Sequence, residues 1–127
     1  MGARTGQQFL DKLNAMRPHI TIDGEVVSEN VTEHPAFKNV ARTYAQLFDL
    51  QHDPKYKDAL TYPSPSTGDP VNVSFLMPKT VEDLERRRAG IKVWAEYSNG
   101  FLGRSGDYMN SSLTALASAK KWFEKAD

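Results

Sequence analysis

Apolar residues recur every three or four positions along most of the chain, and this helical period most constrains its fold. The clearest case is a stripe at i, i+3, i+4, i+7, i+10 and i+11, formed by Phe37, Val40, Ala41, Tyr44, Leu47 and Phe48. One apolar face with polar residues elsewhere predicts an amphipathic helix. We expect this helix to begin near Pro35, because proline is tolerated in a first turn, with Thr32 as its cap.

Two segments ahead of that stripe carry strong local signals. Thr5 and Gln8 have the spacing of a capping box, which predicts a first helix that ends before Pro18. Asp23-Gly24 separates two short runs of β-branched residues, 19–22 and 25–27. Such a dipeptide between alternating runs predicts a β-hairpin.

The second half of the chain alternates helical periods with turn-rich segments. Asp53-Pro54 has the pattern of a cap and first residue of a short helix. The Pro-, Ser- and Gly-rich segment 61–70 predicts a surface loop or a wide hairpin that returns through 71–76. A fourth helix should open at Thr80, and a last helix should run from Ser105 or Asp107 to about Phe123.

The expected faces of these two helices follow from residue type. The fourth helix should bury Leu84, Ile91, Trp94 and Ala95 and turn Glu85, Arg86, Arg87, Lys92 and Glu96 outward; the last should carry Met109, Leu113, Leu116 and Phe123 on one side. The aromatic residues Phe37, Tyr44, Phe48 and Trp94 are assigned to core packing. The chain is therefore expected to be mainly α, a single domain over residues 1–127 with a small β-hairpin near its start.

Composition excludes several function classes. Sixteen basic residues balance sixteen acidic ones, so no large field favours nucleic acid or an anionic membrane. Cysteine is absent, which excludes disulfides and thiolate-bound metal clusters within these residues. His19, His34 and His52 lie far apart without a second ligand at metal spacing, so no metal site is expected. With no apolar run of ~20 residues and no secretory signal, a cytoplasmic location is expected.

Two charged clusters have plain explanations. Arg86-Arg87-Arg88 is compatible with a phosphate or nucleic-acid contact, but Glu82, Asp83 and Glu85 lie within the same two turns. We therefore expect a salt-bridged, solvent-facing surface. Glu82 and Asp83 are adjacent and point about 100° apart on a helix, so they do not form a general acid/base pair.

The stretch Gly100–Asn110 carries the best candidate for chemistry. Glycines just before a predicted helix let the backbone turn and leave room for a ligand. Arg104 and Tyr108 are four residues apart, and on a helix they share one face. A guanidinium beside a phenolic hydroxyl suits an oxyanion, a phenolate or a peroxide. The alternative is a helix-capping loop with a surface arginine, and the residues alone leave both open.

The same stretch, GFLGRSGDYMN, closely resembles the Gly-Arg-Ser-Pro-Asp-Tyr-Met-Asn signature of the 4-hydroxyphenylacetate 3-hydroxylase family. Further segments resemble the family in the same order: RTGQQFL at 4–10, IDGEVV at 22–27, VTEHPAF at 31–37, LFDLQHDPKYKDALTYPSP at 47–65, SFLMP at 74–78 and DLERRR at 83–88. The resemblance covers essentially the whole chain. A series of ordered motifs is far more specific than any one of them.

The resemblance implies a fold and an activity. It implies the N-terminal helical domain of an acyl-CoA dehydrogenase-like enzyme, which continues into a β domain and a helical bundle and usually assembles as a tetramer. The family is the FAD-utilising oxygenase component of two-component systems in the breakdown of aromatic compounds. A separate reductase supplies reduced FAD, and a flavin C4a-hydroperoxide hydroxylates 4-hydroxyphenylacetate or a related phenol ortho to its hydroxyl.

The resemblance also assigns residues. It makes Arg104 and Tyr108 the catalytic pair at the phenol, with Arg104, Ser105, Gly106, Asp107 and Tyr108 binding substrate. Gly106 replaces the usual proline and loosens the turn. The family's active-site histidine and most FAD contacts correspond to positions downstream of Asp127, the last residue of the sequence. FAD-binding residues within this chain are therefore unassigned.

Three expectations complete the hypothesis. The chain alone should be inactive and bind FAD weakly or not at all. The related 4-hydroxybutyryl-CoA dehydratases need cysteine ligands that this chain lacks, which favours the hydroxylase branch. The alternative function is a non-catalytic helical interaction or assembly domain derived from such an enzyme.

Overall fold

The computed structural model describes residues 2–102 and 106–125 of the chain. Within them, six α-helices and two β-hairpins form two compact units, one of residues 4–53 and one of 1–3 with 54–127. The helices are α1 (Gly6–Ala15), α2 (Lys38–Asp49), α3 (Lys57–Leu60), α4 (Val81–Tyr97), α5 (Gly106–Ser118) and α6 (Lys120–Phe123), and the strands are β1 (Ile20–Ile22), β2 (Glu25–Val27), β3 (Thr61–Pro63) and β4 (Pro70–Asn72). The expected mainly α fold with a small hairpin near the start is confirmed.

The first unit opens as its local signals predicted. The Thr5 hydroxyl accepts from the Gln8 N–H at 3.2 Å, and the Gln8 side chain accepts from the Thr5 N–H at 3.0 Å. This capping box starts α1, which ends at Ala15, before Pro18. Asp23 and Gly24 both adopt positive φ, 50° and 87°, and join antiparallel β1 and β2. Two positive φ angles are what a two-residue hairpin turn of type I′ requires.

Helices α1 and α2 pack through aromatic rings and one glycine. Phe9 stacks on Phe48 with ring centroids 5.0 Å apart and lies 6.2 Å from Tyr44. Gly6 is buried and donates its N–H to the Asp49 carboxylate at 2.7 Å. A Cβ at Gly6 would overlap the backbone carbonyl of Ala45 and lie 2.6 Å from the same carboxylate, so only glycine fits this approach. The assignment of Tyr44 and Phe48 to packing is confirmed.

The predicted start of α2 was wrong. The helix begins at Lys38 rather than near Pro35, and a 3₁₀ turn at Val31–Glu33 precedes it. Thr32 does not cap α2, because Asn14 of α1 holds it: Asn14 Nδ2 donates to the Thr32 hydroxyl at 2.8 Å, and the Thr32 N–H donates to Asn14 Oδ1 at 3.1 Å. Of the predicted stripe, Ala41 and Leu47 are buried whereas Val40 is exposed.

In the second unit, α3 leads into the hairpin of β3 and β4. α3 begins at Lys57, so the predicted start at Asp53-Pro54 was wrong; residues 54–56 form turns instead. Leu60 at the end of α3 is almost completely buried. The wide hairpin across 61–70 is confirmed, with Thr61 opposite Asn72 in the antiparallel register. A 3₁₀ turn at Val73–Phe75 follows β4, and we call it the Ser74 turn.

Helix α4 starts as predicted, but the residues it buries differ from the predicted ones. Thr80 and Asp83 form a second capping box at its N-terminus. Its buried residue is Gly90, where a Cβ would meet the Val73 side chain and approach the Ala59 carbonyl to 3.1 Å. The predicted buried face was therefore wrong at Leu84, Ile91 and Ala95, which are exposed. A glycine at the contact brings the α4 backbone close to its neighbours and turns the larger residues away.

The last predicted helix is two helices. α5 ends at Ser118, and Ala119 interrupts the run before α6. Met109, Leu113, Leu116 and Phe123, expected on one side, are all more than half exposed. We refer to Met109, Leu113 and Leu116 as the outer face of α5.

Candidate functional site

Of the predicted site residues, the structure describes Gly106, Asp107 and Tyr108, which lie at the start of α5. Tyr108 lies in the first turn of α5 and is 56% exposed. Gly106 and Asp107 open the helix, in agreement with the predicted start. Arg104 and Ser105 lie outside the described residues, so the predicted convergence of Arg104 and Tyr108 stays a prediction.

The end of the chain bears on the predicted cofactor contacts. Asp127, beyond which the resemblance puts most FAD contacts, also lies outside the described residues. The placement of those contacts downstream of Asp127 therefore stays a prediction too.

The first turns of α5 are fixed to the Ser74 turn by hydrogen bonds. Asn110 Nδ2 donates to the Ser74 hydroxyl at 2.9 Å. The Thr114 hydroxyl lies 2.7 Å from the Asn110 carbonyl and 3.3 Å from the Ser74 carbonyl. Asn72 also stabilises the turn, since its Oδ1 accepts the Ser74 N–H at 2.9 Å. Ser74, Thr114 and Asn72 are buried, so these bonds are shielded from water.

Arg87 connects α4 to the same network. Its guanidinium donates to the Ser74 carbonyl at 2.9 Å, to the Leu76 carbonyl, and to the Ser111 hydroxyl of α5 at 2.7 Å. The half-buried guanidinium thus joins three segments of the chain. A planar fork with five N–H donors is suited to such a role. We call Arg87, Ser74, Asn110, Ser111 and Thr114 the Ser74 network.

The expectation of a salt-bridged, solvent-facing arginine cluster was wrong for Arg87, whereas Arg86 is exposed as expected but does not bond to a carboxylate in the contacts seen. Arg87 faces inward, and Arg86 donates to the Thr61 carbonyl at 2.8 Å. Their acceptors are backbone carbonyls and a hydroxyl instead of the carboxylates of the same helix. Arginine reaches such acceptors because its long apolar stem lets the charged end extend along the protein surface.

Sequence reasoning missed the Ser74 network because it expected α5 to pack through its apolar face. The side chains that face the body of the unit are polar, while the outer face is apolar. The available signal was the spacing of Asn110, Ser111 and Thr114 at i, i+1 and i+4, which puts them on one side of a helix. Tyr108 precedes Asn110 by two residues, about 200° around the helix, so its ring projects from another side.

A small hollow lies beside the network. It is lined by Leu60, Asn72, Val73, Ser74, Arg87, Gly90, Ile91 and Trp94, with a cavity volume of about 10 Å³. Sites for drug-sized ligands usually measure roughly 300–1,000 Å³, and FAD is larger still, so this hollow does not fit FAD. Nearby, burial raises the pKa of the Tyr62 hydroxyl, and the positive charge of Arg87 partly offsets that effect.

Two of the histidines, His34 and His52, make hydrogen bonds to the backbone. His34 Nδ1 accepts the Ala36 N–H at 3.2 Å, at the entry to α2, and His52 Nε2 lies 3.1 Å from the Arg4 carbonyl. Across 2–102 and 106–125, no three His, Asp or Glu side chains come together in a way that would hold a metal ion.

A helix with the length and apolarity needed to cross a membrane is not found in the part of the chain that the structure describes.

Residues 5–127 match the family described as 4-hydroxyphenylacetate 3-hydroxylase N terminal. The oxygenase component of 4-hydroxyphenylacetate 3-monooxygenase from Thermus thermophilus is 44% identical over 95% of this chain and 24% of its own length. The oxygenase component of 4-nitrophenol 2-monooxygenase from a Rhodococcus species is 35% identical over 88% of this chain and 21% of its own length.

Solved structures agree with these relatives. The crystal structure of a 4-hydroxyphenylacetate 3-monooxygenase oxygenase component complexed with FAD and 4-hydroxyphenylacetate superposes with a TM-score of 0.89 at 43% identity. The match covers 95% of this chain and 25% of that one. This chain thus spans about a quarter of the length of these relatives, and its helices follow the N-terminal part of their acyl-CoA dehydrogenase-like fold. The chain belongs to the 4-hydroxyphenylacetate 3-hydroxylase family and matches its N-terminal part.

Proposed function

We propose that this chain is the N-terminal helical domain, residues 1–127, of an FADH2-dependent aromatic hydroxylase. The substrate is 4-hydroxyphenylacetate or a related phenol, which gains a second hydroxyl ortho to the first. The observation that carries the proposal is the match of 95% of the chain, at a TM-score of 0.89, to an oxygenase crystallised with FAD and 4-hydroxyphenylacetate. In the balanced reaction one oxygen atom of O2 enters the ring and the other leaves as water.

The proposed roles of the chain's own residues follow from charge and hydrogen bonding. The Arg104 guanidinium favours the phenolate form of the substrate, since a nearby positive charge lowers the pKa of a phenol. The Tyr108 hydroxyl donates to the same oxygen, and residues 104–108 shape the wall around it. A more electron-rich ring reacts faster with an electrophilic oxygen. Reduced FAD, delivered by a separate reductase, supplies the activation of O2.

We propose that later domains of the same polypeptide, downstream of Asp127, complete the site. The hollow in the second unit does not fit FAD, which agrees with cofactor contacts lying elsewhere in the hydroxylase. The outer face of α5 is more than half exposed and suits contact with such a domain. The isolated chain is then inactive, and the complete hydroxylase works as a cytoplasmic homo-oligomer.

The exposed outer face also supports the alternative, a helical assembly domain without a catalytic role. Three apolar side chains on one helix face are a common feature of protein–protein contacts. The two functions differ in one respect. Only the hydroxylase needs the charge of Arg104.

The test is turnover by the hydroxylase polypeptide that carries this chain, supplied with reductase, NADH and 4-hydroxyphenylacetate. Arg104→Ala should lower kcat by about 10²–10³-fold, the usual effect of removing one electrostatic stabiliser of a developing charge. Arg88→Ala, which removes an exposed arginine of α4, is the matched control and should leave kcat unchanged. Unchanged turnover in Arg104→Ala would refute the catalytic assignment and favour the assembly domain.

A further inference from the structure

We propose that Asn110 and Arg87, acting through the Ser74 turn, are positioning residues that orient Tyr108 toward the phenol. The inference rests on the proposed function, because it concerns where the Tyr108 hydroxyl meets the substrate. Neither residue needs to touch the substrate. Each acts on the helix that carries Tyr108.

The first step of the argument is how α5 is attached. The side chains that bind it to the Ser74 turn are polar, and its apolar side chains lie on the outer face. Apolar packing is non-directional and tolerates small rotations of a helix. Hydrogen bonds weaken steeply when their angle is lost. A helix held by Asn110 and Thr114 therefore has a defined rotation about its own axis.

The second step is that Arg87 fixes the Ser74 turn and α5 together. Its guanidinium donates to two carbonyls of residues 74–76 and to the Ser111 hydroxyl. Any sliding of α5 along the turn breaks one of these bonds. Lysine carries its three donors on one nitrogen, so it does not reproduce the two separate nitrogens that Arg87 uses.

The third step connects this attachment to Tyr108. Tyr108 is two residues from Asn110 and three from Ser111, within the same turns of α5. Its long side chain amplifies any rotation of the helix at the hydroxyl. A misplacement of about 1 Å, caused far from the chemistry, can cost roughly a hundredfold in rate. The Ser74 network therefore sets how well the hydroxyl meets the phenol oxygen.

A double-mutant cycle in the hydroxylase polypeptide separates positioning from general destabilisation. Asn110→Ala should lower kcat at least tenfold in the wild-type background. In a Tyr108→Phe background the same change should lower kcat less than twofold, because the hydroxyl it positions is already gone. A residue needed only for folding would lower kcat equally in both backgrounds. Equal losses, or no loss in the wild type, would overturn the inference.

Ser74→Ala provides the second variant should Asn110→Ala fail to fold. It removes the hydroxyl that accepts from Asn110 but keeps the backbone carbonyl, and the same dependence on Tyr108 is expected. Arg87→Lys should lower kcat more than the matched Arg88→Lys, which alters an exposed neighbour. The two proposals fail differently. If Tyr108→Phe alone leaves kcat unchanged, Tyr108 has no role and the inference falls with it; if only the coupling is absent, the hydroxylase assignment stands.

Discussion

Asp83 stabilises the start of α4 through its carboxylate. Its Oδ2 accepts the Lys79 N–H at 2.8 Å and the Thr80 N–H at 3.1 Å. These hydrogen bonds hold the pKa of Asp83 below its ordinary value of 3.8, and the bond from the Lys79 N–H has the largest effect. A carboxyl whose pKa is lower in the folded state stabilises the fold above about pH 3.8. That stabilisation is lost as the pH falls through the folded pKa.

This linkage predicts how an Asp83→Ala variant depends on pH. Its Tm should lie below that of the wild type at neutral pH, and the gap should narrow as the pH falls below 3.8. Thermal unfolding followed by circular dichroism from about pH 7 to about pH 2.5 measures the gap across the window in which the carboxyl takes up its proton. Glu82→Ala, in the same turn but outside the capping box, is the control and should give a smaller gap. A gap for Asp83→Ala that is constant with pH would contradict the prediction.

Gly90 and Ala89 give a second prediction, in which packing opposes helix propensity. Propensity alone says that Gly90→Ala stabilises α4 by about 1 kcal/mol and that Ala89→Gly destabilises it by a similar amount. The added Cβ at Gly90, however, would overlap the Val73 side chain and crowd the Ala59 carbonyl. Overpacking of this kind costs roughly 1–3 kcal/mol.

Both substitutions should therefore lower the free energy of unfolding, although they are opposite in propensity. Ala89 is exposed, so its change reports propensity without packing. Urea denaturation of both variants measures the two free energies. A more stable Gly90→Ala would mean that Val73 moves aside, and the close contact at Gly90 would then have little energetic weight.

At the scale of the helix, starts were predictable where the signal is local. The two capping boxes, at Thr5 and Thr80, gave the starts of α1 and α4, because each box lies within four residues of sequence. The prediction of the start of α2 failed because it depends on a residue far away in the sequence. Thr32 is taken by Asn14, eighteen residues away, and sequence spacing does not reveal a partner at that distance.

Helix α5 shows the same limit for the candidate site. Periodicity predicted a helix with Met109, Leu113 and Leu116 on one face. It does not reveal which face lies inward, and here the polar face does. The family signature predicted Tyr108 as a site residue from sequence alone, and that role stays a prediction. The attachment of α5 through Asn110 and Arg87 depends on the Ser74 turn, more than thirty residues before Asn110, and needed the structure.

At the scale of the whole molecule, the outer face of α5 has to be explained together with the share of its relatives that the chain covers. An apolar helix face this exposed is uncommon on a protein that acts alone. The relatives are about four times longer than their matched part. The fold of this chain does not bury the outer face, although hydrogen bonds hold α5 in place. Both features support the proposed contact with the rest of a hydroxylase.

This reasoning separates two kinds of apolar residue. Leu113→Gln with Leu116→Gln should leave the Tm of the 127-residue chain within a few degrees of wild type, since exposed substitutions usually change stability by less than about 0.5 kcal/mol. In the complete hydroxylase the same pair should expose this domain to limited proteolysis and weaken FAD retention. Leu60→Ala, at a site only 1% exposed, is the contrasting control and should cost about 2–5 kcal/mol in both proteins. If the glutamine pair leaves the complete hydroxylase as protease-resistant as wild type, the outer face of α5 is not a domain contact.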